Sequence, residues 1–162
     1  MSVSTTLPNI AEILGSVLQR VDREVQPLLI AIAERLAADR YRSWAAGAGD
    51  EKQAADLLVC AEREVEIASR VEALYPDASS VQAQIRADNP DLEEINRSIF
   101  AGRSIEDQYA IQAQGEHAGA SVWRALAEGA PPATRETFLA CAELEEKNAA
   151  VLEAILRTLH PS

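Results

Sequence analysis

Four glutamates occupy positions where apolar side chains belong. At helical spacing, Glu34 lies on the stripe Ile30, Ala37, Tyr41, and Glu64 lies on Leu57, Ala61, Ala68, Val71. Glu116 shares a stripe with Tyr109, Ala113, Ala120, Trp123 and Ala127, and Glu145 with Phe138, Ala142, Ala149 and Leu152. A carboxylate in an apolar interior costs several kcal/mol unless it is paired, protonated or bound to a cation. Four of them converging on one layer would repel strongly. The chemistry that suits such a set is a cation held between helices, and oxygen donors alone fit hard or borderline ions such as iron or manganese.

The four residues belong to an internal repeat. "CAEREVEIA" at residues 60–68 returns as "CAELEEKNA" at 141–149. Upstream, "ERLAADRY" at 34–41 and "EHAGASVW" at 116–123 each place an aromatic residue seven positions after the glutamate. Glu34 precedes Glu64 by 30 residues and Glu116 precedes Glu145 by 29.

The elements that must position them are helical. A first short helix falls within residues 8–25, capped by Thr6 or Asn9, and Pro27 interrupts the pattern unless it sits in the first turn of the next helix. A long helix runs from about Leu28 to Ala46. Asp50 with Gln53 reads as a capping box for a second, ending near Leu74. Residues 76–103 form a connection with a short helix started by Asn89-Pro90 and ended by Gly102. Ser104 with Asp107 caps a third long helix to about Glu128, and Thr134 caps a fourth to about Leu159. No stretch alternates with period two. Short turns make the first and second, and the third and fourth, long helices antiparallel neighbours. The connection between the second and third is long enough to cross the bundle. The expected fold is all-α: one domain, a four-helix bundle with a long middle crossover and an extra N-terminal helix.

Composition narrows the partners. A net charge of −11 opposes binding to nucleic acid or an anionic membrane. No apolar run approaches the roughly 18 residues of a membrane span, and the N-terminus lacks the pattern of a cleavable leader. A cytoplasmic location is expected. Two cysteines make no disulfide framework. Cys60 and Cys141 each fall one turn before a glutamate, as small core residues or as thiols lining the site or pairing across the bundle. His117 points about 100° away from Glu116, which makes it a surface or interface residue. His160 lies in the terminal tail, and Tyr41 and Trp123 read as core fillers.

With Glu34 and Tyr41, Glu64, Glu116 and Trp123, Glu145 and the long crossover in place, residues 28–159 resemble the ferritin-like superfamily. This group comprises the ferritins, the rubrerythrins and related di-iron carboxylate proteins. The resemblance implies a dinuclear iron or manganese centre reacting with oxygen or peroxide, with Glu34 and Glu116 as terminal ligands and Glu64 and Glu145 bridging. In that family the second and fourth helices each carry Glu-x-x-His. Here those motifs end in Ile67 and Asn148. Both imidazoles are absent; Asn148 offers a side-chain oxygen and Ile67 offers nothing.

Two functions are open on this reading. One is a variant carboxylate-rich metal site of Glu34, Glu64, Glu116, Glu145 and Asn148, binding iron or manganese with redox activity. The other is a metal-free helical scaffold acting through homodimerisation or partner binding, with segment 8–25 as the interface element.

Overall fold

The computed structural model describes residues 6–161, which form seven α-helices and, among the described residues, no strand. These are α1 (Ile10–Leu18), α2 (Gln26–Gly47), α3 (Glu51–Glu72), α4 (Ala78–Asp88), α5 (Leu92–Phe100), α6 (Ile105–Ala127) and α7 (Pro132–Leu159), with a 3-10 turn at Arg23–Val25. None of them is long and apolar enough to cross a membrane. The reading of the first five residues as free of a leader lies outside the described range.

Local chemistry explains most boundaries. Asn9, not Thr6, caps α1 by accepting from the Glu12 amide at 3.1 Å. Pro27 falls in the first turn of α2, where its missing N–H costs nothing. Asp50 accepts from the amides of Lys52 and Gln53. The return arm of the expected capping box is not made, because the Gln53 side chain donates instead to the Tyr109 hydroxyl at 3.2 Å. Ser104 caps α6 through the Asp107 amide. Thr134 caps nothing: α7 begins earlier, at Pro132, with Pro131 in the cap position and no side-chain cap. The connection holds two helices rather than one, since α4 precedes the Asn89-Pro90 break.

The four long helices pack around two apolar clusters. At one end Leu28, Ile30, Ile67, Val71, Trp123 and Phe138 come together; at the other, Tyr41, Trp44, Leu57, Cys60, Tyr109 and Leu152. Chain direction follows from the order in which each helix visits them. α2 and α7 run from the Trp123 end to the Trp44 end, whereas α3 and α6 run the opposite way. The crossover therefore has to travel back along the bundle, over the ~30 Å length of a 22-residue helix. α4 leaves from the first cluster through Ile85, and α5 ends on the second, where Phe100 meets the Trp44 ring edge-on at 6.2 Å.

α1 packs on α6. Gln26 Nε2 holds its exit by donating to the carbonyls of Leu18 and Val21, and Arg20 pairs with Asp91 of the crossover at 2.9 Å. Within the segment expected to serve as an interface, Leu18 is buried and Ile10, Ile13, Leu14 and Val17 are half-buried. Each long helix also passes one glutamate through the gap between the two clusters, and that gap is the polar layer of the molecule.

Candidate metal centre

The facing read from the sequence holds at all four glutamates: Glu34, Glu64, Glu116 and Glu145 are 8, 0, 1 and 2% exposed. The four carboxyl groups face one another as a ring, close enough that Glu34 and Glu116 both act electrostatically on Glu64 and on Glu145. Oxygens of Glu34, Glu64 and Glu145 lie within 4.8 Å of one another, a spacing that one cation can span. A contact between two carboxyl groups needs a proton or a cation between them, because neither carboxylate can donate.

Several donors brace the ring from outside. Tyr41 Oη and Gln112 Nε2 both donate to Glu116 Oε1, at 2.6 and 2.9 Å. Trp123 Nε1 donates to Glu145 Oε1 at 3.1 Å, and Asn148 Nδ2 donates to Glu64 Oε1 at 2.7 Å. Tyr41 and Trp123 are therefore more than filler. Glu64 Oε2 and Glu116 Oε2, both fully buried, receive no donor among the described residues. A buried acceptor left in that state costs about 1–3 kcal/mol.

The two repeats are not structurally equivalent. Tyr41 of α2 reaches across to the glutamate of α6, whereas Trp123 of α6 reaches the glutamate of α7. Gly119 explains the difference. A Cβ there would stand 2.6 Å from Glu145 Oε1, so only glycine lets that carboxylate lie against α6. The matching position of the first repeat is Ala37.

The electrostatics follow from burial. Desolvation, then the charges of Glu116 and Glu34, push Glu64 well above the ordinary carboxylate range. Desolvation and the charge of Glu34 do the same to Glu145. Glu34 is raised mainly by burial. Burial, with a contribution from Glu116, also lifts the Tyr41 hydroxyl.

Arg40 is the nearby cation. Burial lowers it to about 10 against the opposing pull of the ring carboxylates. Its guanidinium donates to Gln112 Oε1 at 2.6 Å and to Asn96 Oδ1, and it covers the Phe100 ring at 3.8 Å.

The remaining sequence candidates fall as follows. Asn148 is buried, but its amide faces the ring with nitrogen; Oδ1 accepts from Arg63 at 3.3 Å. As oriented it is a donor to Glu64 rather than an oxygen ligand. Ile67 is buried in the Trp123 cluster. Cys60 and Cys141 are both free thiols. They lie in opposite apolar clusters, so they do not pair across the bundle. Burial pushes each to about 12, which keeps them protonated at neutral pH. His117 is half-exposed between Glu146 (3.0 Å) and Glu153 (2.7 Å), away from the ring. Burial opposes its charge, but those carboxylates outweigh burial and raise its pKa. His160 meets Glu106 on the surface.

Gly119, Gln112 and Arg40 are the contributors that sequence reasoning missed. A glycine three residues after a core glutamate, in mid-helix, is a signal of close approach that was present in "EHAGASVW". Gln112 lies one turn before Glu116 on the same face. Arg40 gives no signal, because its partner Asn96 comes from the crossover. No protein-family model matches the chain, nor does any curated protein or solved structure.

Proposed function

We propose that the ring of Glu34, Glu64, Glu116 and Glu145 holds one or two divalent transition ions, iron or manganese, within a ferritin-like four-helix bundle formed by α2, α3, α6 and α7. The observation that carries this reading is the pair of fully buried carboxylate oxygens, on Glu64 and Glu116, that no protein group satisfies. A cation among Glu34, Glu64 and Glu145 would satisfy the Glu64 oxygen, a second on the Glu116 side would satisfy the other, and either would lower the repulsion within the layer. The donor set fits an ion bound by oxygen alone. It lacks the imidazoles that strengthen such sites, so binding is weaker than at a histidine-bearing centre. When bound, such an ion supplies redox chemistry toward oxygen or peroxide. The chain's own part is to hold the carboxylates in place: Tyr41 and Gln112 fix Glu116, Trp123 fixes Glu145, and apolar clusters close the layer above and below.

Metal analysis of the full chain, purified without chelators, tests this reading. About one iron or manganese per chain is expected, with a clear loss in Glu145→Gln. Sub-stoichiometric metal in both proteins, even after loading, would remove the proposal. Gly119→Ala provides a sharper prediction. The added methyl displaces the Glu145 carboxylate, so ferrous affinity falls by roughly tenfold or more. Global stability changes by less than about 1 kcal/mol, because helix propensity gains what the displacement loses.

One observation favours the metal-free scaffold instead: Asn148 turns its NH2 group, not its oxygen, toward Glu64. On that reading the protein acts as a homodimer or by binding a partner, and Leu58, Val59 and Leu139 are apolar side chains left exposed for contact. Sedimentation equilibrium decides it: a monomer at micromolar concentration refutes the homodimer.

A further inference from the structure

We propose that a cavity beside the carboxylate ring binds a small, uncharged, mostly apolar molecule, a short alkyl chain or a single aromatic ring, with one end against Glu34 and Glu145. The cavity has a volume of about 160 Å³. Its roof is formed by Ile13, Leu14 and Val17 of α1 and by Leu92, Ile95 and Ile99 of α5. Its floor is formed by α2 and α6, with Ala33, Glu34, Gly115 and Gly119 joined by Glu145 of α7. The space is a half-open cleft whose lining is mostly apolar with a few polar groups at one end, the kind of site that takes small ligands. A space of about 150 Å³ is enough for a molecule the size of benzene.

Shape and charge narrow the occupant. At Gly115 the floor meets the roof: a Cβ there would be in ordinary contact with Ile10 Cγ2 at 3.7 Å, so a larger side chain would intrude on the space. The polar groups gather at the ring end, the arrangement that orients a ligand with a single polar atom. An anion is disfavoured. Glu34 and Glu145 face the space, and the cation in its lining, Arg40, is already engaged by Gln112, Asn96 and the face of Phe100. At the outer edge the exposed Arg20–Asp91 pair joins the chain after α1 to the start of α5.

What becomes of the bound molecule rests on the metal-centre reading, but its binding does not. The test therefore uses the full chain after chelator treatment, so that loss of metal and loss of ligand are read separately. Toluene, 1-hexanol and hexanoate are titrated by ligand-detected NMR, with methyl shifts of Leu14 and Ile99 followed in the protein. One saturable site for toluene and for 1-hexanol is expected, with hexanoate at least about tenfold weaker. Shifts should be concentrated on those cavity methyls. Ala33→Phe and Gly115→Leu fill the space from two helices, and each should weaken binding by roughly tenfold or more while circular dichroism remains that of the parent. No saturable binding of either neutral probe, hexanoate binding as tightly as 1-hexanol, or shifts confined to methyls elsewhere would each overturn the proposal. If the filling variants do not fold, the methyl shifts of the parent still decide where the probe sits.

Discussion

Replacing Glu64 with glutamine is expected to stabilise the metal-free protein at pH 7 by about 1–3 kcal/mol, a rise in melting temperature of roughly 3–10 °C. The glutamine oxygen can keep the bond from Asn148 Nδ2, and its NH2 group can donate toward the carboxylates of Glu34 and Glu116. The change converts an oxygen without a donor into a donor among acceptors. The pH profile fixes the sign. Glu64 and Glu145 have folded pKa values well above the ordinary 4.5. Their neutral forms therefore favour folding fully below that value, and the benefit is lost as pH rises through the folded pKa. The parent should lose stability with rising pH above about 4.5, and Glu64→Gln should flatten that fall. Thermal melts from pH 4 to 8 in the presence of chelator measure both. With metal bound the sign reverses, because glutamine is the poorer ligand: the variant should then be the less stable protein. Destabilisation of the metal-free variant would mean that the Glu64 carboxylate is already neutralised by a cationic partner.

The second large effect is a gain. Ile67→His with Asn148→His restores an imidazole one turn after Glu64 and one turn after Glu145. Affinity for ferrous ion should rise by on the order of 10–100-fold, with two ions bound per chain. Without metal the variant should be less stable than the parent by about 2–4 kcal/mol. The reason is that the imidazole replacing Ile67 enters the apolar cluster of Trp123 and Phe138, and the Asn148 bonds to Glu64 and to the Cys60 carbonyl are lost. Metal at 100 times its dissociation constant should return about 2.7 kcal/mol for each ion bound. Anaerobic titration with ferrous ion, followed by melts with and without metal, checks both halves. A folded variant that binds no more metal than the parent would show that the four carboxylates do not enclose a site.

The glutamate layer was legible because the helices around it are regular. In each, apolar or small residues about one turn away on both sides fix the facing, so a single glutamate within the stripe could only point inward. The crossover was less legible for a physical reason. α4 buries only Gln82 and Ile85, too little to impress a period on the sequence, and the Asn89-Pro90 break next to it is the stronger signal. Thr134 looked like a cap because threonine favours that place, but Pro132 just before it has the fixed φ of a first helical turn, and α7 starts there. The repeat suggested two equal halves. Gly119, where the first repeat has Ala37, is one difference between them: it lets Glu145 lean on α6, where Trp123 donates to it, whereas Tyr41 donates to Glu116. The cavity was invisible because α1, α2, α5, α6 and α7 all contribute to it, and no short stretch records that meeting.

The proposed metal centre is a place as well as a composition, and anomalous diffraction locates both. Crystals of the full chain loaded with ferrous or manganous ion without oxygen should show, at the corresponding absorption edge, a peak among the oxygens of Glu34, Glu64 and Glu145. The Glu116 carboxylate should lie beside it, and the peak should be absent in Glu64→Gln. A clean map with an empty carboxylate ring, or metal only on the acidic surface, would contradict a metal centre in this layer.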